Sequence, residues 1–292
     1  MRDWSSLLPD LVRRVADCIL VTSDLYHYMD MRAVYHNWRS ALVDPCSDCA
    51  GVDHPCFHPR HWVMLDEEEE PTDGARLFVN VSTGRFVRRR VPVLQDHILV
   101  GSSDGLLIVG ERKPHHALRV LNPFTGSLLH FTVILPSYRV NVVVAVGQEI
   151  PTSLVFELDC YVWSADPAIE FVRITYAPRA VCRASMVAHA GHAYMVDTEA
   201  SVFEIVWNDC FTCRHWITQR PGTFVSSDGS EPEPCEWPKN FLVESDGELL
   251  LVRRPRLRCQ VMEVFRVDVE GHALEPVNKI AGGRHTLFLG KS

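Results

Sequence analysis

The 292-residue chain has no surplus of positive charge: 29 Lys and Arg stand against 37 Asp and Glu, a net charge of −8. Nucleic-acid binders need a concentrated basic surface to neutralise phosphates, so the composition argues against nucleic acid as a partner. The short basic runs, Arg88-Arg89-Arg90 and the stretch from Arg253 to Arg258, read as solvated strand ends. The acidic run from Asp66 to Glu70, next to Pro71 and Gly74, reads as a solvated loop. Long hydrophobic runs are also missing. The longest strongly apolar run, Val142 to Val146, falls far short of the roughly 20 residues that a membrane-crossing helix needs, so no membrane partner is expected. No apolar leader opens the chain, because Met1-Arg2-Asp3-Trp4 runs into a polar, proline-containing stretch. The ten cysteines are therefore expected to be reduced thiols in the cytoplasm or nucleus, not a disulfide framework. In such a chain the Asn80-Val81-Ser82 sequon carries no meaning.

Patterns that support catalysis are missing too. No Gly-rich phosphate cradle precedes a helix, and isolated carboxylates such as Asp159 and Asp197 have no acid–base partner at a fixed spacing. His115-His116 read as loop residues. Gly101-Ser102-Ser103-Asp104-Gly105 formally meets the nucleophile-elbow pattern, which requires a helix after the serine. Here Leu106 to Val109 reads as a returning strand, and Asp104-Gly105 is a hairpin dipeptide. No catalytic residue, and so no enzyme, is expected. The segment with Cys46, Cys49, His54, Cys56, His58 and His61 is the strongest metal candidate, since thiolates two residues apart can share one tetrahedral zinc. Its spacing matches no tight finger signature, and Pro45, Pro55 and Pro59 suit an irregular connector. Cys210-x-x-Cys213 with His215 falls where a β-turn is expected. The expectation is no cofactor and no metal; Cys46, Cys49, Cys56 and His58 are the ligand set that zinc would use.

The first 45 residues have helical spacing. Leu8, Leu11, Val12, Val15 and Ile19 recur three and four apart, on one helical face. Pro9 suits a first turn and Asp10 complements the helix dipole. Ser23-Asp24 caps a second start. From there Leu25, Tyr28, Met29, Met31, Val34, Tyr35, Trp38, Ala41 and Leu42 keep the period through two helices to Pro45. So thin a core needs a partner or the next domain to cover it.

Residues 46–61, rich in Cys, His and Pro, read as a linker. From Trp62 onward, β-branched and aromatic runs alternate with turn signals, which predicts an all-β domain over 62–292. Apolar runs pivot on Asp104-Gly105, Gly147, Ala190-Gly191 and Asp246-Gly247. The last interval is lengthened by a loop-like insertion between Pro221 and Pro238; without it the period is roughly 40–45 residues, the length of one four-stranded propeller blade. Periodicity alone leaves a sandwich open beside the propeller.

Leu8-Pro9-Asp10-Leu11, Asp24-Leu25 and Val34-Tyr35-His36-Asn37-Trp38-Arg39-Ser40-Ala41 resemble an F-box, with Tyr35 where that family usually has cysteine. The remainder resembles the plant DUF295 domain, described as a kinase-interacting (KIB-type) β-propeller. The matching pieces are Trp62-Val63-Met64-Leu65, Gly101 to Leu107, Leu121-Asn122-Pro123-Phe124-Thr125-Gly126, Phe241 to Leu250, and Leu287-Phe288-Leu289-Gly290. In that family further residues follow the Phe-Leu-Gly strand and complete the last blade. The resemblance therefore implies that a strand near Trp62 closes the ring, or that the propeller is C-terminally shortened.

The resemblance further implies a substrate receptor of an SCF-type ubiquitin ligase. Leu8, Pro9, Leu11, Val12, Val34, Trp38 and Arg39 would dock a Skp1-like adaptor and, through it, a cullin ligase complex, while propeller loops hold an unknown protein target. For Leu11, Val15 and Trp38 the competing reading is the internal core of the helical module. Two other functions stay open: a ubiquitin-independent, for example kinase-binding, propeller with a vestigial F-box, and a propeller enzyme with acid–base residues in its central channel.

Overall fold

Pro9 opens the first helix, α1 (Pro9–Val21), where its missing N–H leaves no hydrogen bond unmade, and Asp10 lies in the same first turn. Asp24 caps α2 (Leu25–Val34) by accepting from the His27 backbone N–H at 3.2 Å. The extended backbone of Tyr35 separates α2 from α3 (His36–Ala41). The computed structural model describes residues 4–22, 24–46, 52, 54–65, 74–112, 117–134, 142–146, 153–158, 161–167, 172–176, 185–190, 192–197, 200–206, 212–215, 239–245, 247–254 and 262–277.

Contacts divide the chain into two units, one built mainly from residues 1–138 and the other mainly from 171–292 with 139–146 and 153–165. The first unit holds the helices and two antiparallel sheets. One sheet is β1 (Trp62–Met64), β2 (Ala75–Asn80) and β3 (Phe86–Arg90), in that order. The other is the meander β4 (His97–Ser103), β5 (Leu106–Glu111), β6 (Ala117–Leu121) and β7 (Leu128–Ile134). A single turn of helix, α4 (Val93–Asp96), joins the sheets and was not anticipated from sequence; it is too short to show a helical period.

Asp104 and Gly105 both take positive φ (52° and 77°) in the turn between β4 and β5. A strand, not a helix, follows Ser103, so the elbow-like motif is a hairpin.

The second unit repeats the four-stranded meander three times. Its sheets are β8 (Val142–Val146) to β11 (Val172–Tyr176), β12 (Ser185–His189) to β15 (Thr212–His215), and β16 (Lys239–Ser245) to β19 (Ala273–Pro276). Between them run β9 (Ser153–Leu158), β10 (Tyr161–Ala165), β13 (His192–Val196), β14 (Val202–Val206), β17 (Glu248–Arg254) and β18 (Glu263–Asp268). The glycine pivots read from sequence all fall between the first and second strand of a four-stranded sheet. Gly147, Gly191, Asp246, the 221–238 insertion and the closing segment 287–290 lie outside the described residues.

Strand alternation explains how these sheets stack. Ala193 and Met195 of β13 pack with Val155 and Val162 of the preceding sheet, while Tyr194 and Val196 pack with Leu242, Leu249 and Leu251 of the following one. Apolar side chains leaving both faces of β13 make the β12–β15 sheet a layer between its two neighbours in this unit. The first strands β8 and β16 both approach β12, as the innermost strands of adjacent blades do.

Candidate partner-docking site

The helical module has two apolar faces, not the single face that the spacing suggests. Val12 and Ala16 are each 1% exposed, and Ile19 packs beside them. Leu11 and Val15, each one residue earlier and so about 100° round the helix, point to solvent at 44 and 48% exposure, and Leu8, the residue that precedes α1, is 66% exposed.

The inner face belongs to the β core. Val12, Ala16, Leu25, Tyr28 and Met31 share one cluster with Phe57, Trp62, Phe78, Leu107, Leu121 and Phe124. The Tyr28 and Phe57 rings lie 5.5 Å apart, and Tyr26 meets Trp62 at 6.2 Å and Phe124 at 6.5 Å. The thin helical core is thus covered by the chain's own sheets. Val12 is lost from the docking set, because its side chain is fully enclosed by that core.

Two turns of one design seat α2. In Asn80-Val81-Ser82-Thr83-Gly84, between β2 and β3, the Asn80 side-chain oxygen accepts from Ser82 and Thr83 N–H, both at 3.0 Å. In Asn122-Pro123-Phe124-Thr125-Gly126, between β6 and β7, Asn122 accepts from Phe124 and Thr125 N–H at 3.0 and 3.2 Å. Gly84 and Gly126 close the two turns at φ 70° and 77°. Arg85, just after the first turn, donates to His27 Nε2 at 2.9 Å and lies 4.5 Å from the centre of the Tyr26 ring. Phe124, in the second turn, supplies the ring that Tyr26 meets. Arg89 fastens that second turn by donating to the Pro123 carbonyl at 3.1 Å and to the Phe124 carbonyl.

Within the linker after the helices, the described residues Val52 and 54–61 form a strap packed on the core. Asn122 Nδ2 donates to the Phe57 carbonyl at 2.8 Å, His58 Nε2 contacts the Val52 carbonyl at 2.7 Å, and Phe57 and His58 are buried. Among the described residues no three His, Cys, Asp or Glu side chains come together as a metal would require, and Cys49 lies outside those residues. Cys46 Sγ donates to the Thr125 carbonyl at 2.9 Å. Partial burial, with the Asp44 carboxylate beside it, pushes the Cys46 thiol up, and burial likewise raises Cys56; both effects oppose the thiolate that zinc requires. Cys213 lies in β15, while Cys210 is outside the described residues.

Ile19, Met29, Trp38, Ala41 and Leu42 pack against the same core, but the module leaves several apolar residues in water. Beside Leu8, Leu11 and Val15, Val34 is 57% exposed and Pro9 is exposed. Trp38 is half-buried, donates through Nε1 to the Trp4 carbonyl at 3.2 Å and stacks edge-on against Tyr35 at 5.0 Å. Arg39 is exposed, with Nε donating to the Arg32 carbonyl at 3.2 Å. Trp4 is more than half exposed and stands outside the set read from the F-box pattern; Val15 was visible in its spacing from Leu11. The arrangement leaves an apolar surface uncovered on the module.

Among the described residues the second unit has a cleft of about 300 Å³, lined by His189, Glu248, Arg266, Asp268, Glu270 and Glu275 among others. Arg266 is held there by Glu248 at 2.8 Å and Glu275 at 3.5 Å, a cross-strand ion network of β17, β18 and β19.

Solved structures similar to the chain include virginiamycin B lyase from Staphylococcus aureus, at 10% identity over 77% of this chain and 68% of that one, with a TM-score of 0.41. A Bacteroides thetaiotaomicron protein of unknown function is similar at 11% identity over 74% of this chain, with a TM-score of 0.44. The chain spans only 55% of the length of that protein. Similarity at this level bears on neither activity nor partner. No curated protein matches the chain. A protein-family model described as KIB1-4 beta-propeller matches residues 78–292.

Proposed function

The chain belongs to the KIB1-4 beta-propeller family, and from that premise we propose that it is the substrate-recognition subunit of an SCF-type ubiquitin ligase. The helical module docks a Skp1-like adaptor and hence the cullin complex, and the propeller holds a protein target. The observation that carries this reading is the exposure of the apolar side chains Leu8, Leu11, Val15 and Val34 on a module whose inner face is already enclosed. Fully burying a Leu or Val side chain stabilises by roughly 1.5–3 kcal/mol, so a partner covering this face gains a strong driving force. Trp38 and Arg39 at its edge are residue types favoured as interface anchors.

On this reading the chain performs no chemistry of its own: ubiquitin transfer takes place on other subunits, in the cytoplasm or nucleus. Tyr35, stacked on Trp38, supports the second reading, a ubiquitin-independent binding propeller with a vestigial F-box, because its ring stands between α2 and α3 where the F-box family usually has a small thiol. Co-expression with a Skp1-like adaptor and a cullin decides between them. Co-elution of the three as one complex is expected; an adaptor that never associates with the purified chain leaves the second reading.

A further inference from the structure

Arginine takes almost every cationic position of this chain. Of its 29 basic residues only four are lysines, namely Lys113, Lys239, Lys279 and Lys291, which leaves 25 arginines. Residues 1–112 contain twelve arginines and no lysine. That span includes the whole helical module, the strap and strands β1–β5.

Contacts that use the guanidinium account for part of the choice: besides Arg32 and Arg89, Arg13 donates to Asp10 and to the Ala41 carbonyl, Arg39 Nε donates to the Arg32 carbonyl, and Arg85 lies over the Tyr26 ring. Buried Arg32 uses its planar fork on the Leu42 and Val43 carbonyls and on Asp44, and Arg89 does the same on Pro123 and Phe124. Eight of the twelve are exposed: Arg13, Arg14, Arg39, Arg60, Arg85, Arg88, Arg90 and Arg112. Arg60 approaches Asp104 only to 3.7 Å, a separation that an ammonium would serve equally well. Exposed ion pairs contribute little, about 0–1 kcal/mol, so the fold itself draws no clear line between arginine and lysine at such sites.

Chemistry draws that line. Ubiquitin transfer joins the ubiquitin C-terminal carbonyl to a lysine ε-amine. The amine attacks, the thioester to the carrier enzyme's cysteine breaks, the cysteine leaves as the thiol, and the amine gives up a proton. A guanidinium stays protonated and offers no such nucleophile.

Resting on the receptor reading above, we propose that arginine in place of lysine over residues 1–112 withholds acceptor amines from the ligase that the chain itself recruits, and so protects the receptor from self-modification. The surface that carries the adaptor is built from a cation that the reaction cannot use.

The test reconstitutes the full chain with a Skp1-like adaptor, cullin, carrier enzyme and ubiquitin, and maps conjugates by mass spectrometry. Arg88→Lys with Arg90→Lys places two amines on the exposed face of β3, away from the docking residues and without a change of charge. Self-conjugation several-fold above the original chain, at positions 88 and 90, is expected, with the original chain modified only at its four lysines or its terminal amine. If the adaptor binds and ubiquitin is transferred, but the new lysines stay unmodified, the protection proposal is overturned while the receptor reading stands. If no adaptor binds, both fall. Substitution of Arg60→Lys provides a second acceptor, so that a folding fault in the β3 variant does not blunt the test.

Discussion

The side-chain amide of Asn122 donates to the backbone carbonyl of Phe57 at 2.8 Å, in a position sealed from solvent. A turn of the second sheet thereby holds the strap that leaves the helices, and one side chain serves a turn, a strap and the shared core together. Asn122→Ala leaves the Phe57 carbonyl and two turn N–H groups without their partner, each costing about 1–3 kcal/mol when buried. Chemical denaturation of this variant is expected to show a loss of several kcal/mol. A loss within the range of an ordinary surface substitution would mean that the turn is not the anchor described.

Two glycines with the same backbone angle separate strain from collision. Gly105 and Gly126 both have φ +77°, but a Cβ on Gly105 would lie 2.2 Å from the Pro59 carbonyl oxygen, whereas one on Gly126 meets nothing within 4 Å. Gly126→Ala should cost about 1–2 kcal/mol, the left-handed penalty alone. Gly105→Ala should cost clearly more and loosen the strap at Pro59. Equal unfolding midpoints for the two variants would rule out the close approach of strap and hairpin.

Asp104, in the same hairpin turn, faces His58 at 3.6 Å and Arg60 at 3.7 Å. Burial alone would raise its carboxyl, but the interaction with His58 and the Arg60 charge outweigh that and hold it below the usual carboxylate range. A depressed native pKa contributes stability that is fully present above the unfolded value of about 3.9 and disappears as pH falls through the lower native value. Asp104→Asn, which the positive φ tolerates, should flatten that acid limb of the stability curve. An unchanged acid limb in the variant would assign the dependence to other carboxylates.

Much of this was legible in the sequence. Alternation and glycine pivots located the strands because sheet burial follows a period of two, and Val142–Val146 was found to the residue. Asp24 and Pro9 announced their helix starts through the chemistry of capping. The division of α1 into inner and outer faces was not legible. Leu8, Leu11, Val12 and Val15 are equally apolar, and only the position of Phe57 and the sheets decides that Val12 turns inward. The strap was misjudged for a related reason: a proline-rich stretch gives no periodic signal, and the burial of Phe57 and His58 depends on Asn122, which lies 65 residues beyond Phe57 in sequence. Nor does spacing show that Cys46 meets the Thr125 carbonyl.

The outward face of α1 is the centre of the functional account, and a calorimetric titration of a purified Skp1-like adaptor into the purified chain tests it most directly. The unaltered protein should bind saturably. Leu11→Asp with Val15→Asp, at two exposed positions where substitution costs the fold little, should abolish the heat of binding with an unchanged melting temperature. Equal affinity for the two proteins, or no heat with either, would contradict the assignment of this face as the docking site.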